Sequence, residues 1–246
     1  LKGWEINSIQ WPFKSITKFL ILYLDDICVF SLESYANHID VHFNLIEFLL
    51  FATQSWGFKI GAAKFHPWVR TFKFLGHYFN VNTATTSIPP ERLDAIKHFR
   101  SPASTAECLS RLGVIAYYKK YVPLLQIVAM PLNQMCLSGK FEWTSVHQSA
   151  WAAIKLLCSL DFKNNVVDQN RTLLFACDSS QISISWLSFQ LVEGDIKIIS
   201  MDSKILNGAD RNKAAPFRET IALLFCLMSN EDVIKTHPKK CLLLTD

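Results

Sequence analysis

The sequence predicts an α/β fold of the α+β type, in which a β-hairpin and several helices precede a compact unit with a mixed sheet. Three patterns support this prediction. Two short apolar runs, 19–22 and 27–31, flank a turn at residues 23–26. Four helices are predicted: 39–52 and 143–160 from apolar residues at helical spacing, and 91–99 and 104–121 from residues that start and stop helices. The period changes after residue 172, where three strand-like segments, a helix and a final strand follow one another: 173–178, 183–192, 196–201, 216–228 and 241–246.

The composition permits a substantial core and excludes several classes of protein. The 246 residues are half apolar, enough for one large or two modest domains, and the net charge of +4 is compatible with a polyanionic partner. The seven cysteines include no C-x-x-C pair, which argues against a zinc ribbon or a secreted disulfide framework. No apolar run approaches a membrane span, and the chain, which opens on Leu1 without a signal-peptide layout, is expected to be a piece of something longer.

Several details of the middle of the chain are also predicted. Phe58-Lys59-Ile60 has the pattern of a strand, and Phe72 to Phe79 that of strands that bend at Gly76. Met130 to Lys140 is predicted to be a linker. His38 and His42 have the spacing of metal ligands on a helix, but no third ligand is evident, so a surface or capping role is favoured.

Two adjacent carboxylates lie inside the first apolar stretch. Tyr23-Leu24-Asp25-Asp26 interrupts an otherwise β-forming run, which predicts a tight hairpin with one or both aspartates at its tip. Mg²⁺ takes oxygen ligands and usually needs only one or two protein carboxylates plus substrate phosphates, so this tip is a candidate cation site. The alternative is a hairpin whose turn residues are aspartates only because Asp is favoured in turns.

Three more carboxylates are candidates for chemistry in the C-terminal unit. Asp178 ends its first predicted strand, Glu219 lies one turn into its helix, and Asp246 ends its last strand. Strand ends and helix starts of an α/β unit face the same sheet edge, so the three side chains could converge there. With two divalent ions they would form a phosphodiester-hydrolysing centre. The alternative, which spacing alone favours, is two turn aspartates and a glutamate that interacts with the helix dipole.

A basic pair ends the helix predicted over 104–121. Lys119-Lys120 lies among three tyrosines, Tyr117, Tyr118 and Tyr121. This pattern could track a phosphate backbone, and a solvated basic helix end is at least as good an interpretation.

A series of motifs runs through nearly the whole chain in one order: Tyr23–Ser31, Gly57–Ile60, Lys73–His77, Ile88–Ile96, Leu112–Pro123 and Phe141–Thr144. In that order they resemble the YxDD hairpin of a reverse transcriptase, the two segments after it, the start and the later helix of its thumb, and the start of an RNase H-like domain. The chain is therefore similar to the middle of the pol polyprotein of long-terminal-repeat retroelements, most of all the Ty3/gypsy class. Such an ordered series is far more specific than a lone YxDD motif.

The resemblance implies a fold and a division of the chain. Residues 1–80 would be the C-terminal part of a reverse-transcriptase palm, 81–135 the helical thumb and connection, and 136–246 an RNase H-like mixed-sheet α/β domain truncated at its C-terminus. The parent proteins copy RNA into DNA and cleave the RNA of RNA–DNA hybrids, and both reactions use Mg²⁺ or Mn²⁺. The implied partners are an RNA–DNA hybrid, a primer-template and the other pol segments (fingers, palm and integrase), with no membrane. The implied location is intracellular, in the cytoplasm and within virus-like particles.

The resemblance also implies site residues. Asp25 would be the metal-binding carboxylate of the polymerase, with Asp26 as its auxiliary neighbour, and the carboxylates of the RNase H site would be Asp178, Glu219 and Asp246. The implied nucleic-acid contacts are Tyr23, the primer-gripping hairpin around Phe74, Leu75, Gly76 and His77, and the thumb residues Tyr118, Lys119 and Lys120.

The chain departs from the family pattern at several points. A further polymerase aspartate would precede Leu1 and a fourth RNase H carboxylate would follow Asp246, so the chain alone is not expected to polymerise DNA. Ser183-Ile184-Ser185 stands where the family usually has Gly-Ile-Gly, followed by Trp186 in place of a small residue; Ala62-Ala63 and Phe65 replace Pro-Lys and Cys. These departures favour an alternative hypothesis, a degenerate or domesticated relic that does no chemistry and at most binds nucleic acid.

Overall fold

The computed structural model describes residues 20–31 and 37–244. The chain forms two compact units, which divide between Leu75 and Gly76. The predicted division at residues 80 and 135 stays a prediction. None of the helices in the described ranges is long and apolar enough to span a membrane.

The first unit contains the predicted hairpin. Strands β1 (Leu20–Tyr23) and β2 (Asp26–Val29) pair antiparallel, with Tyr23 opposite Asp26, which leaves Leu24 and Asp25 in the turn. Leu24 has a left-handed φ of +54°, so the tight turn is formed without a glycine.

Helix α1 (His38–Ser55) confirms the helix predicted over 39–52. The chain turns away just after the helix at Gly57, whose φ is +77° and whose N–H donates to Gln54 O. A 3-10 turn (Ala62–Lys64) and strand β3 (Thr71–Phe74) complete the unit. The strand predicted at 58–60 is wrong, because the Phe58 N–H closes the end of α1 on Thr53 O and the segment runs on exposed.

The second unit begins with a small sheet and a helical layer. Strand β4 (His77–Asn80) pairs antiparallel with β5 (Thr85–Ser87), and β5 pairs antiparallel with β6 (Asn164–Asn165). The helices between β5 and β6 are α2 (Pro90–His98), α3 (Thr105–Tyr117), α4 (Leu125–Val128), α5 (Met130–Leu137) and α6 (Ser145–Ser159). They share one apolar core, whose members run from Ile88 to Cys158.

Two predictions in this layer need correction. Helix α3 stops at Tyr117, four residues before the predicted end at Tyr121, and a separate 3-10 turn covers Lys119–Tyr121. The linker predicted at 130–140 is instead helix α5 over most of its length. Pro131 lies in the first turn of α5, where a missing backbone N–H costs no hydrogen bond. Leu132 and Met135 lie on the buried face of the helix.

The C-terminal part is the predicted mixed sheet. Its strands are β7 (Leu173–Ser179), β8 (Ser183–Val192), β9 (Asp195–Ile205) and β10 (Cys241–Leu244), in the spatial order β10-β7-β8-β9. Strand β10 runs parallel to β7, and the other pairs are antiparallel. Between β9 and β10 lie α7 (Gly208–Arg211), α8 (Ala215–Ser229) and α9 (Glu231–Thr236).

Helix α8 packs on this sheet through a second apolar core. Leu173 and Phe175 of β7 are fully buried, as are Ala222 and Cys226 of α8. The buried residues are two apart in the strand and four apart in the helix, so each element buries one face. This packing brings the end of β7 and the start of α8 to one edge of the sheet.

Candidate functional site

The hairpin presents both predicted aspartates at its tip. Asp25 lies in the turn and Asp26 begins β2, and both are exposed beside Tyr23, which is 55% exposed. Over the described ranges, no group of three His, Cys, Asp or Glu side chains lies close enough to hold a metal ion. The hairpin therefore presents two exposed, adjacent carboxylates, and the predicted cation site at its tip stays a prediction.

A second pair of carboxylates lies at the edge formed by β7 and α8. Asp178 is opposite Ser185 of β8, Glu219 is near the start of α8, and both are exposed. Burial is the main cause that raises the pKa of the Cys177 thiol, and the negative charges of Asp178 and Glu219 raise it further. The charges of both carboxylates therefore act on one thiol, and the predicted convergence with Asp246 stays a prediction because Asp246 lies outside the described residues.

Ser183, one of the two serines that stand where the family that this chain resembles usually has glycine, is accommodated by local hydrogen bonds. Ser180 Oγ accepts the Ser183 N–H at 2.9 Å and lies 3.0 Å from Ser183 Oγ, so the Ser183 hydroxyl closes the turn between β7 and β8. The Trp186 ring packs in the sheet core, stacked on Phe225 with ring centroids 6.4 Å apart. The added bulk of Trp186 is therefore packed in the core of the sheet.

A groove of about 510 Å³ runs beside Asp178. Residues Val122–Leu124, which follow the 3-10 turn, form one wall, and strands β7, β8 and β9 form the other. Asp202 of β9 also lines it and is an acidic residue that sequence reasoning missed. The available signal was a single carboxylate inside the otherwise strand-forming run Ile196–Ile205.

The predicted nucleic-acid contacts at the start of the second unit form an aromatic cluster. The Tyr118 hydroxyl donates to Gly76 O at 3.2 Å, and the Tyr121 hydroxyl lies 3.3 Å from Nδ1 of His77. The Tyr117 ring stacks on His77 with centroids 5.3 Å apart. Burial, with a smaller contribution from Lys120, lowers the pKa of His77 from 6.5 to about 4, so the imidazole is neutral at neutral pH.

The three tyrosines of this aromatic cluster differ in burial. Tyr118 and Tyr121 are 4% and 1% exposed, so their rings belong to the core, while Tyr117 is 55% exposed. Phe74 and Leu75 end the first unit, and Leu75 and Gly76 both have left-handed φ angles, +47° and +71°. The predicted bend at Gly76 is confirmed.

The basic pair is not a solvated helix end. Lys120 Nζ lies 5.1 Å from the centre of the Tyr121 ring, and burial lowers the pKa of Lys120. Lys119 Nζ forms an ion pair with Asp202 Oδ2 at 2.6 Å. Both lysines are therefore engaged within the protein, although the Lys119 side chain keeps 49% of its surface exposed.

His42 has a packing role. It is buried in α1, its Nε2 is hydrogen-bonded to Pro67 O at 2.8 Å, and its ring meets Trp68 edge-on with centroids 4.9 Å apart. The surface or capping role favoured from the sequence is wrong for His42, because that face of α1 is covered by the Pro67–Trp68 segment.

Several known proteins similar to this chain are retroelement polyproteins. The Retrovirus-related Pol polyprotein from transposon opus of Drosophila melanogaster is 26% identical over 225 residues, which are 86% of this chain and 22% of that protein. The equivalent protein from transposon 297 is 23% identical over 89% of this chain and 20% of its own length. The Transposon Tf2-3 polyprotein of Schizosaccharomyces pombe is 21% identical over 98% of this chain and 18% of its own length. No protein-family model matches the chain.

Solved structures show the same fold. The foamy viral protease-reverse transcriptase in complex with an RNA/DNA hybrid superposes with a TM-score of 0.77 at 17% identity, over 91% of this chain and 30% of that one. The same viral protein in complex with double-stranded DNA gives 0.75. These matches confirm the predicted fold class, and the sequence relatives confirm the resemblance to retrotransposon pol polyproteins. The chain spans about a fifth of the length of the curated relatives that it matches.

Proposed function

We propose that this chain, a relative of retrotransposon pol polyproteins, is a segment of a reverse transcriptase–ribonuclease H, and that its C-terminal sheet carries the ribonuclease H site. The observation that supports this most directly is the position of Asp178 and Glu219, on two different elements but beside the same thiol. Related polyproteins and solved reverse-transcriptase structures support the same assignment.

The donor set fits a divalent cation. Asp178 and Glu219 supply exposed carboxylate oxygens at one sheet edge, and Mg²⁺ commonly binds through one or two protein carboxylates plus substrate phosphates. Asp246 is the proposed third ligand. When bound, the cation lowers the pKa of an attacking water and neutralises charge on the scissile phosphate.

The chain's own residues would hold and orient the reactants. Strand β7 and helix α8, which share an apolar core, fix the two carboxylates on rigid elements, which suits a reaction that depends on accurate positioning. Asp178 Oδ1 already accepts the Ser179 backbone N–H at 2.7 Å, a bond that restricts the carboxylate's rotation. The exposed Tyr117 ring, which belongs to the same unit as these carboxylates, offers a flat apolar surface on which a nucleic-acid base could stack.

The test is cleavage of a labelled RNA strand in an RNA–DNA hybrid with Mg²⁺ or Mn²⁺. Asp178→Asn and Glu219→Gln should each lower the rate by about a hundredfold or more, because a metal-ion contribution of several kcal/mol is lost. Asp195→Asn is the matched control, since Asp195 is the first residue of β9 and its side chain is 78% exposed. Cleavage that survives in both variants would contradict the assignment, and hybrid binding without metal binding or cleavage would support the non-catalytic relic.

The hairpin supports a second activity for the longer protein. We propose that Asp25, with Asp26 beside it, holds a cation for DNA synthesis once the other polymerase segments are present. In a pol protein that includes those segments, Asp25→Asn should abolish primer extension on RNA. Extension that persists in that variant would contradict the role of Asp25.

We also propose an intracellular location, in the cytoplasm and within virus-like particles. All seven cysteines are free thiols, as expected in a reducing compartment.

A further inference from the structure

We propose that Asp202 competes with nucleic-acid phosphates for Lys119, so that Asp202 limits the affinity of this chain for polyanions. This inference rests on the proposed function, since it concerns how the same unit would hold a nucleic acid. It starts from Asp202, which lines the same groove as Asp178, and from Lys119, whose ammonium lies on Asp202 while half of its side chain is exposed.

The ion pair is close and asymmetric in burial. Lys119 Nζ lies 2.6 Å from Asp202 Oδ2, but the Lys119 side chain is 49% exposed while that of Asp202 is only 15% exposed. The lysine can therefore turn toward solvent on its flexible stem, whereas the aspartate is held in the wall of the groove. A phosphate that approaches from solvent reaches the lysine first.

Asp202 also has a second partner that keeps it in place. Its Oδ1 accepts the Ser203 backbone N–H at 2.8 Å, so the carboxylate stays hydrogen-bonded when the lysine leaves. The lysine end of the pair is half-exposed, where solvent screens the attraction, so a phosphate contact can compete for its ammonium. The carboxylate then remains as a negative charge that repels the phosphate backbone.

The neighbouring lysine cannot substitute for Lys119. Lys120 lies against the Tyr121 ring, and its backbone carbonyl accepts a hydrogen bond from Asn164 Nδ2 at 2.9 Å. The turn that carries both lysines is thus fixed, and Lys119 is the member of the pair whose ammonium can be redirected. The affinity of the surface around Lys119 for phosphate should therefore depend on whether Asp202 holds the Lys119 ammonium.

The test is the salt dependence of binding to a fluorescent RNA–DNA hybrid, measured by anisotropy with the full 246-residue chain. Asp202→Asn preserves size and the acceptor for the Ser203 N–H, and should tighten binding about threefold or more at low salt. The slope of log affinity against log salt should steepen by about 0.9, the value for one added phosphate contact. The double variant Lys119→Gln with Asp202→Asn should lose both effects.

The control is Asp195→Asn, which changes the net charge equally at another lysine pair, Lys197 Nζ to Asp195 Oδ2 at 3.7 Å. If Asp202→Asn tightens binding no more than this control does, or if the double variant keeps the gain, the inference is overturned.

A second measurement separates this inference from the proposed function. Acylation of Lys119 by an amine-reactive ester, followed by mass spectrometry, should be faster in Asp202→Asn than in the parent chain, with Lys197 unchanged. Polyphosphate should also bind Asp202→Asn more tightly. If the chain does not bind the hybrid but Asp202→Asn shows both gains, the nucleic-acid function is contradicted and the competition for Lys119 is not. If the acylation rate and the polyphosphate affinity are both unchanged in Asp202→Asn, the competition is overturned.

Discussion

Replacing Gly76 with alanine tests the tight approach of the aromatic cluster to the backbone. Gly76 has φ +71°, and a Cβ built on it would lie 3.1 Å from the Tyr117 hydroxyl oxygen and 3.2 Å from Tyr117 Cε1. Two costs therefore add in Gly76→Ala: left-handed backbone strain of about 1 kcal/mol and overpacking against a tyrosine ring of about 1–2 kcal/mol.

Gly139 supplies a matched control in the same unit. Its φ is +74°, but a Cβ there would meet no atom within 4 Å, so Gly139→Ala has the strain without the contact. For a domain of this size a change of 1 kcal/mol shifts the melting temperature by roughly 2–4 °C. Gly139→Ala should therefore lower it by roughly 2–4 °C and Gly76→Ala by roughly 4–12 °C.

The assay is thermal unfolding by calorimetry of both single variants, and of Gly76→Ala in a Tyr117→Ala background. Without the Tyr117 ring, the alanine at position 76 should cost no more than the one at 139. Equal costs in the parent chain, or an excess cost that remains without the ring, would refute the reasoning.

Three further predictions follow from single contacts. Asp178→Asn should lower the pKa of Cys177, though not to its ordinary value because burial is the main cause of the increase. The pKa is measured from the rate of thiol alkylation against pH, and an unchanged rate profile would mean that Asp178 is remote from the thiol. Ser104→Ala removes the oxygen that accepts the Glu107 N–H at 3.2 Å, and should cost about 1 kcal/mol in urea unfolding, whereas no loss would show that this cap contributes nothing. Burial lowers the pKa of His77 from 6.5 to about 4, so the unfolded chain binds a proton that the folded chain does not. The free energy of unfolding should therefore fall as the pH drops from 6.5 toward 4. His77→Gln should flatten this pH dependence; if the pH dependence is unaltered in that variant, another group causes it.

The order of the elements could be predicted because local patterns specify them. The period-two run of β7 and the helical spacing of α6 each match a structure that buries one face, and Ser104 and Pro90 mark helix starts by their backbone chemistry. The linker prediction failed at Met130–Lys140 because the helical core requires Leu132 and Met135 on one face of a helix, although Pro131 favours a loop locally. Tertiary packing overrode a local signal there.

The sequence by itself therefore determined the fold class and the hairpin that presents Asp25, because spacing and turn chemistry act over a few residues. Asp178 and Glu219 stand out only through the resemblance to retroelement polyproteins, because their spacing alone favours turn and helix-dipole roles, and their catalytic role stays a prediction. Only the tertiary structure decided what the lysines do. Lys119 meets Asp202 across more than eighty residues of chain, and Lys120 rests on a buried tyrosine. Such partners are chosen by how the helical layer packs on the sheet, a long-range arrangement that no short pattern contains.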